Sequence, residues 1–296
     1  MITLKDITIE DKALFDKYLS LRKHELSDLN FTNLFIWREA YQVKYAMVDD
    51  FLCIFGKYKN NPQFALLPLG EGDIRPIIEK VMAYFKQQGY KFAMTAISEE
   101  MKNEIEQVMP GRLSFKADRN LFDYVYLASD LIELKGKKFH AKRNHINKFK
   151  AQNKYQYYAL TTEYVDQCVA AALKWCEKRN CKESEGLEME KLAILETLNN
   201  FEKLKYKGGF IKADDRVVAF TLGEKINNDM AVIHIEKGGP DIQGSYAIIN
   251  QQFCEHEWKG VTYINREEDM GILGLRKAKE SYRPVKMVKK YVAKRQ

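Results

Sequence analysis

The segment from Tyr263 to Pro284 gathers more polar chemistry than a packed core requires. Asn265, Arg266, Glu267, Glu268 and Asp269 directly follow an apolar strand, and in an open α/β sheet the strand end borders the ligand crevice. Gly271 and Gly274 allow tight turning and close backbone approach before a short basic helix from Leu275 to Tyr282. The pattern suits an anionic ligand. Arg276 and Lys279 lie about one helical turn apart, so both can grip one anion. The other reading of the same spacing is a solvated turn followed by an ordinary basic helix.

The elements that must hold this segment repeat along the chain. Ile2 to Ile7 reads as a strand and Glu10 to Arg22 as a helix, with Leu14, Tyr18 and Leu21 on one side. A second helix follows over Asn33 to Tyr41. Val43 to Val48 and Phe51 to Lys57 then alternate around Asp49-Asp50, the pattern of a two-residue hairpin. Strand, helix, strand and helix follow to Leu127. The second half runs in the same order, with a hairpin at Asp214-Asp215, a strand over Ala231 to Glu236, a helix over Ser245 to Trp258 and a strand over Val261 to Ile264. Matching landmarks recur at an offset of about 165 to 170 residues, which an internal duplication explains. The expected division is a first domain over 1–128 and a second over 129–296.

Composition limits what these domains can be. The 296 residues, 46% hydrophobic with six prolines, describe a globular chain with enough residues for two cores. No apolar run approaches the ~20 residues that span a bilayer, and the N-terminus lacks the order of a secretory signal. A cytoplasmic protein is expected, either free or peripheral to the membrane. Five scattered cysteines without a C-x-x-C pair predict reduced core thiols, with neither a disulfide frame nor a metal site.

The net charge of +7 is segregated. Lys135 to Lys154 carries eight basic residues and no acid, and Met270 to the end carries nine against one acid, so the remainder is net acidic. Such patches fit a phosphate-bearing partner, or else a solvated basic face. A helix over Lys135 to Lys150 would place Phe139, Ile146 and Phe149 on one side and Lys137, Asn144 and Lys148 on the other. Lys137, Lys138, Lys142, Arg143 and Lys148 are its candidate contacts to a nucleic acid or an anionic surface. A tRNA acceptor stem and an anionic membrane both suit them.

Each half reads strand, two helices, antiparallel hairpin, strand, helix, strand, helix, the order of the N-acetyltransferase-like (GNAT) fold. The expected class is α/β (α+β), as tandem duplicated GNAT-like domains with mixed, mostly antiparallel sheets. The segments L-K-G-K-K-F-H-A-K-R-N-H-I-N-K-F, Y-I-N-R-E-E-D-M-G-I-L-G-L-R-K-A-K-E-S-Y-R-P-V-K and S-D-L-N-F-T-N-L-F-I-W-R carry the resemblance further. They resemble a bacterial family similar to the C-terminal half of phosphatidylglycerol lysyltransferases and, more distantly, to Fem-type aminoacyltransferases.

The resemblance implies a working site in the second copy and a structural or acceptor-binding role for the first. It puts the donor's phosphates at the turn holding Gln243, Gly244, Ser245 and Tyr246. That turn departs from the Q/R-x-x-G-x-G/A acetyl-CoA loop. Asn265, Arg266, Gly271, Arg276 and Lys279 complete the implied donor site. The mechanism is attack of an amine or hydroxyl on an activated acyl carbon, which needs a base, an oxyanion donor and an acid. Glu236 and His234 share a strand face and either can serve as base, although His234 also reads as a core-edge histidine. Tyr282 stands where the superfamily often keeps a general-acid tyrosine, or else packs. Asp269 and Glu267 are candidates for reading an aminoacyl ammonium. The leading expectation is aminoacyl-tRNA-dependent transfer to a lipid headgroup or peptide-like amine, without a firm cofactor. Acyl-CoA as donor is the second reading, and a non-catalytic nucleic-acid or membrane-surface binder the third.

Overall fold

The computed structural model describes residues 2–57 and 63–296, which form two compact units, Met1–Asp123 with Val288–Gln296, and Tyr124–Met287. The first unit runs β1 (Lys5–Asp6), α1 (Lys12–Ser20), α2 (Phe31–Ile36), α3 (Arg38–Tyr41), β2 (Lys44–Val48), β3 (Phe51–Lys57), β4 (Gln63–Ala65), α4 (Arg75–Gln87), β5 (Ala93–Ile97), α5 (Glu99–Val108) and β6 (Leu113–Ala117). The local chemistry sets these boundaries. The Asn30 side chain accepts from the Asn33 amide at the start of α2, and Ser98 accepts from the Met101 amide at the start of α5. Asp49 turns the β2–β3 hairpin in the left-handed region at φ 51°.

The second unit continues with β7 (Asp123–Leu127), α6 (Ala128–Glu133), α7 (His140–Gln152), β8 (Tyr155–Ala159), α8 (Val165–Lys178), α9 (Glu185–Asn199), α10 (Phe201–Leu204), β9 (Lys207–Ala213), β10 (Arg216–Asn227), β11 (Met230–Gly238), α11 (Ser245–Glu257), β12 (Tyr263–Asn265), α12 (Leu273–Glu280) and β13 (Lys286–Val288). The last strand, β14 (Tyr291–Arg295), belongs to the first unit.

The two sheets have one design. The first is ordered β1-β2-β3-β4-β5-β14-β6 and the second β8-β9-β10-β11-β12-β7-β13. In each, six strands of one copy take in the last strand of the other. β14 pairs antiparallel with β5, and β7 pairs antiparallel with β12. Each sheet has one parallel junction, β4 with β5 and β11 with β12. This is a tandem GNAT-like fold of two mixed sheets flanked by helices. The reciprocal strands also explain why the second unit begins at Tyr124 and why the chain end returns to the first.

A buried ionic cluster holds that return. Lys290, only 2% exposed, pairs with Asp123 at 2.7 Å and with Asp28. Ser27 donates to Asp123 through its amide and its hydroxyl, both at 2.9 Å. Ser27 and Asp28 of the S-D-L-N-F-T-N segment thus help to hold Lys290, next to β14. In the second unit Phe139, just before α7, and Ile146 and Phe149 of α7 pack with Phe253 and Trp258 in one core. The expectation of reduced thiols fails at one pair: Cys176 and Cys181 are disulfide-bonded, with Cα atoms 5.2 Å apart, while Cys53, Cys168 and Cys254 are free and buried. The turn after α8 brings the pair together, a closure that their five-residue spacing does not announce. Among the described residues no helix is long and apolar enough to cross a membrane.

Candidate active site at the strand divergence

The parallel β11–β12 junction is short. Met230, Ala231 and Val232 pair with Tyr263, Ile264 and Asn265, after which β11 continues to Gly238 while the other chain turns away. Backbone bonds to β7 take over: the Arg266 amide donates to the Tyr124 carbonyl and the Tyr124 amide to the Glu267 carbonyl. Asn265, fully buried, steadies the turn by accepting from the Glu267 amide at 2.7 Å. Glu267 and Met270 lie in the left-handed region, at φ 57° and 52°. The two strands part here, and charged side chains fill the gap.

Glu236 of β11 and Arg266 face each other across it at 2.8 Å, both side chains nearly buried. The second Glu236 oxygen accepts from the Asn250 amide of α11, also at 2.8 Å. The Arg266 guanidinium lies over the rings of Tyr282, 4.7 Å from its centroid, and Tyr126, 5.6 Å away. Lys142 of α7 projects its amine over the same Tyr282 ring at 3.9 Å. Burial pushes the Lys142 amine down, Arg266 lowers it further and Glu236 partly opposes, leaving it at about 8. Burial also raises the Tyr282 hydroxyl, which stays protonated. Two buried atoms beside Glu236 have no partner among the described residues, Nη1 of Arg266 and Oδ1 of Asn250. A free donor and a free acceptor thus sit on two groups anchored to one carboxylate.

The other predicted residues are already engaged. His234 is held between Glu224, 3.1 Å from Nε2, and Glu267, 2.9 Å from Nδ1. Burial lowers its pKa, but the two carboxylates outweigh that and raise it to about 9. Both ring nitrogens therefore carry protons at neutral pH, which leaves none to act as base. Asp269 is fully buried and saturated: Arg276 donates to both its oxygens at 2.8 Å, the Tyr124 hydroxyl at 2.6 Å and the Gly271 amide at 2.8 Å. Burial disfavours its charge, yet Arg276 and these donors hold its pKa far below the usual carboxylate range. No lone pair is left for an ammonium. Arg276 is committed to Asp269, and the buried Lys279 amine donates to the carbonyls of Arg266 and Glu267. The pair expected to grip an anion instead braces the turn under Arg266.

The Gln243–Tyr246 turn is packed as well. The carbonyl of His145 and the side chain of Phe149 press on Gly244, where an added Cβ would lie 2.3 Å from that oxygen. The Ser245 and Ala247 amides bond to Ile242 and Gly244 carbonyls. Tyr246 receives a hydrogen bond from Trp175 at 3.3 Å, and Gln243 is exposed. On the basic helix, Lys138 pairs with Asp130 and Arg143 donates to the carbonyls of Leu134 and Gly136. Lys137 and Lys148 are exposed and make no ion pair among the described residues.

Lys142 is expected to contact a nucleic acid or an anionic surface. Its position carries the opposite signal, since residues 139, 142, 146 and 149 fall on one helical stripe whose other members are buried. Asn250, a fully buried amide beside Ile248, Ile249 and Phe253, was likewise a polar residue on an apolar helix face.

Residues 20–294 match the family described as phosphatidylglycerol lysyltransferase, C-terminal. The chain belongs to this family. It is similar to a conserved protein of unknown function from Bacteroides thetaiotaomicron, with 38% identity, all of both chains covered and a TM-score of 0.92. The L-PGS of Bacillus licheniformis matches at 17% identity over 96% of this chain and 92% of its own, with a TM-score of 0.64. A tandem GNAT protein from the clavulanic acid biosynthesis pathway matches at 9% identity, with 99% and 98% covered and a TM-score of 0.50. An uncharacterized protein of Mycoplasmoides gallisepticum is 25% identical over 179 residues, 58% of this chain and 56% of that protein. The chain thus spans little more than half the length of that curated relative. Family and fold relate the chain to GNAT-like acyltransferases and to lysylphosphatidylglycerol synthetase.

Proposed function

We propose that the second unit transfers an aminoacyl group from aminoacyl-tRNA to an amine or hydroxyl acceptor, a lipid headgroup or a peptide-like amine. The observation that carries this reading is the Glu236-anchored pair of unpartnered atoms beside Lys142. Arg266 Nη1 suits a carbonyl oxygen that gains charge during attack, because a fixed buried cation stabilises it without reorganisation. Asn250 Oδ1 suits an N–H of the aminoacyl group, since an acceptor buried without a donor is costly until the ligand satisfies it. Lys142 in its neutral form takes the proton of the attacking group, and the protonated Tyr282 hydroxyl supplies one to the leaving ribose oxygen. Glu236 positions Arg266, while His234 and Asp269 hold the turn. The exposed lysines of the basic segment, Lys137 before α7 and Lys148 on it, suit tRNA phosphates. A coenzyme A donor is disfavoured by the packing of His145 and Phe149 against Gly244 and by the Ser245 and Ala247 amides being already bonded.

The reading is tested by incubating the protein with labelled aminoacyl-tRNA or labelled acetyl-CoA and a membrane-lipid extract. Incorporation from tRNA alone is expected, and incorporation from acetyl-CoA alone overturns the reading.

A further inference from the structure

Met270, Ile272, Leu273 and Leu275 are 55%, 55%, 77% and 37% exposed, four large aliphatic side chains within six consecutive residues. Isolated exposed leucines are ordinary, but a run of this density is not. Its backbone is firmly held. The Gly271 amide donates to the Asp269 carboxylate and the Ile272 amide to the Asp269 carbonyl, both within 2.9 Å, and Asp269 is itself clamped by Arg276 and Tyr124. The fold thus spends a saturated buried carboxylate on presenting an apolar knuckle to solvent.

Basic residues outnumber acids beside it, with Glu280 the one acid of α12. No acid lies between Met270 and Lys279. Lys277 is exposed, makes no ion pair among the described residues, and falls four residues after Leu273 on the same face of α12. Arg283, beyond the helix, is also exposed and, among the described residues, without an ion pair. Aliphatic side chains gain nothing from phosphates and offer no ring for base stacking, so RNA does not account for them. Aliphatic tips with cations beside them match the boundary of an anionic bilayer, where the tips enter the acyl region and the lysine stem reaches back to the headgroups.

We infer that the turn from Met270 to Leu275, with Lys277, is a docking surface for anionic phospholipid bilayers. The inference goes beyond the transferase reading and stands without it, because docking needs neither tRNA nor turnover.

The test is co-sedimentation of the full chain, without tRNA, with vesicles of phosphatidylcholine alone or mixed with an anionic phospholipid. Binding to the anionic vesicles is expected. Ile272→Ser with Leu273→Ser is expected to weaken it about tenfold or more, from the apolar area withdrawn from the bilayer. Lys277→Gln is expected to weaken it about fivefold, and only on anionic vesicles. All three side chains are exposed, so melting temperatures should not move, and Leu273→Trp should show a blue-shifted emission on vesicle addition. Three results overturn the inference: no vesicle binding at low salt, binding that ignores the serine pair, or a concentration-dependent dimer in the wild type that the serine pair abolishes. Vesicle binding with no aminoacyl transfer counts against the transferase reading alone, and transfer to a soluble amine without vesicle binding counts against the docking surface alone.

Discussion

At the residue scale the account rests on the amine of Lys142. With its pKa lowered to about 8 by burial and Arg266, transfer should rise with pH through that value and level off above it. Lys142→Met should remove the rise and slow transfer by about 10²-fold or more, checked by single-turnover rates against pH. Arg266→Lys keeps the charge but loses the fork that spans Glu236 and the free Nη1 position, and should also slow transfer. His234 gives a stability prediction with a definite sign. Its pKa is raised from 6.5 to about 9 in the folded state, so its stabilisation is complete below pH 6.5 and is lost as pH rises through 9. Chemical denaturation should show a loss of about 3 kcal/mol across that window, which His234→Gln should flatten. The residue types at this site were legible in the sequence, but their commitments were not. Asp269, Arg276 and Lys279 look like ligand contacts in one dimension. Only their placement around the turn shows that they satisfy one another.

At the element scale, local pattern carried far. The alternation around Asp49-Asp50 and Asp214-Asp215 gives the two hairpins, and the apolar stripe of α7 gives its buried face. What local pattern cannot show is which sheet a strand joins. The residues of β14 read only as part of the basic stretch from Met270 to the end, yet they form a strand between β5 and β6 of the first unit's sheet. Ending the chain at Lys289 should therefore disrupt that unit, seen as lost amide protection over β5 and β6 in hydrogen exchange. Lys290→Met should cost about 3 to 5 kcal/mol, because it leaves the buried Asp123 charge without its cation. On the basic segment around α7, replacing Lys137 and Lys148 with glutamine should make the salt dependence of tRNA binding shallower, by roughly 0.7 to 0.9 in slope for each phosphate no longer neutralised. The same exchange should leave the fold intact, since both side chains are solvent-facing.

At the scale of the whole molecule, duplication shows why the two copies differ. Both sheets keep the same strand order and the same parallel junction, but they place buried charge differently. In the second unit it fills the divergence of β11 and β12 with Glu236, Arg266 and the Asp269 turn. In the first unit Leu66, Leu67 and Leu69 follow β4 as buried apolar residues, and the buried ions gather at Lys290 and Asp123. The duplicated order was readable as a recurring offset of landmarks. The exchange of last strands was not, because pairing partners distant in sequence leave no periodic trace. The central claim, that the Glu236–Arg266–Asn250 cluster with Lys142 receives an aminoacyl group carried by tRNA, is tested most directly by calorimetry. The titrants are a non-hydrolysable aminoacyl-tRNA mimic, uncharged tRNA and acetyl-CoA, against wild type and Asn250→Leu. The account predicts that the mimic binds more tightly than uncharged tRNA, that Asn250→Leu erases this difference, and that acetyl-CoA gives no heat. Equal affinity for charged and uncharged tRNA in the wild type, or saturable binding of acetyl-CoA, would contradict it.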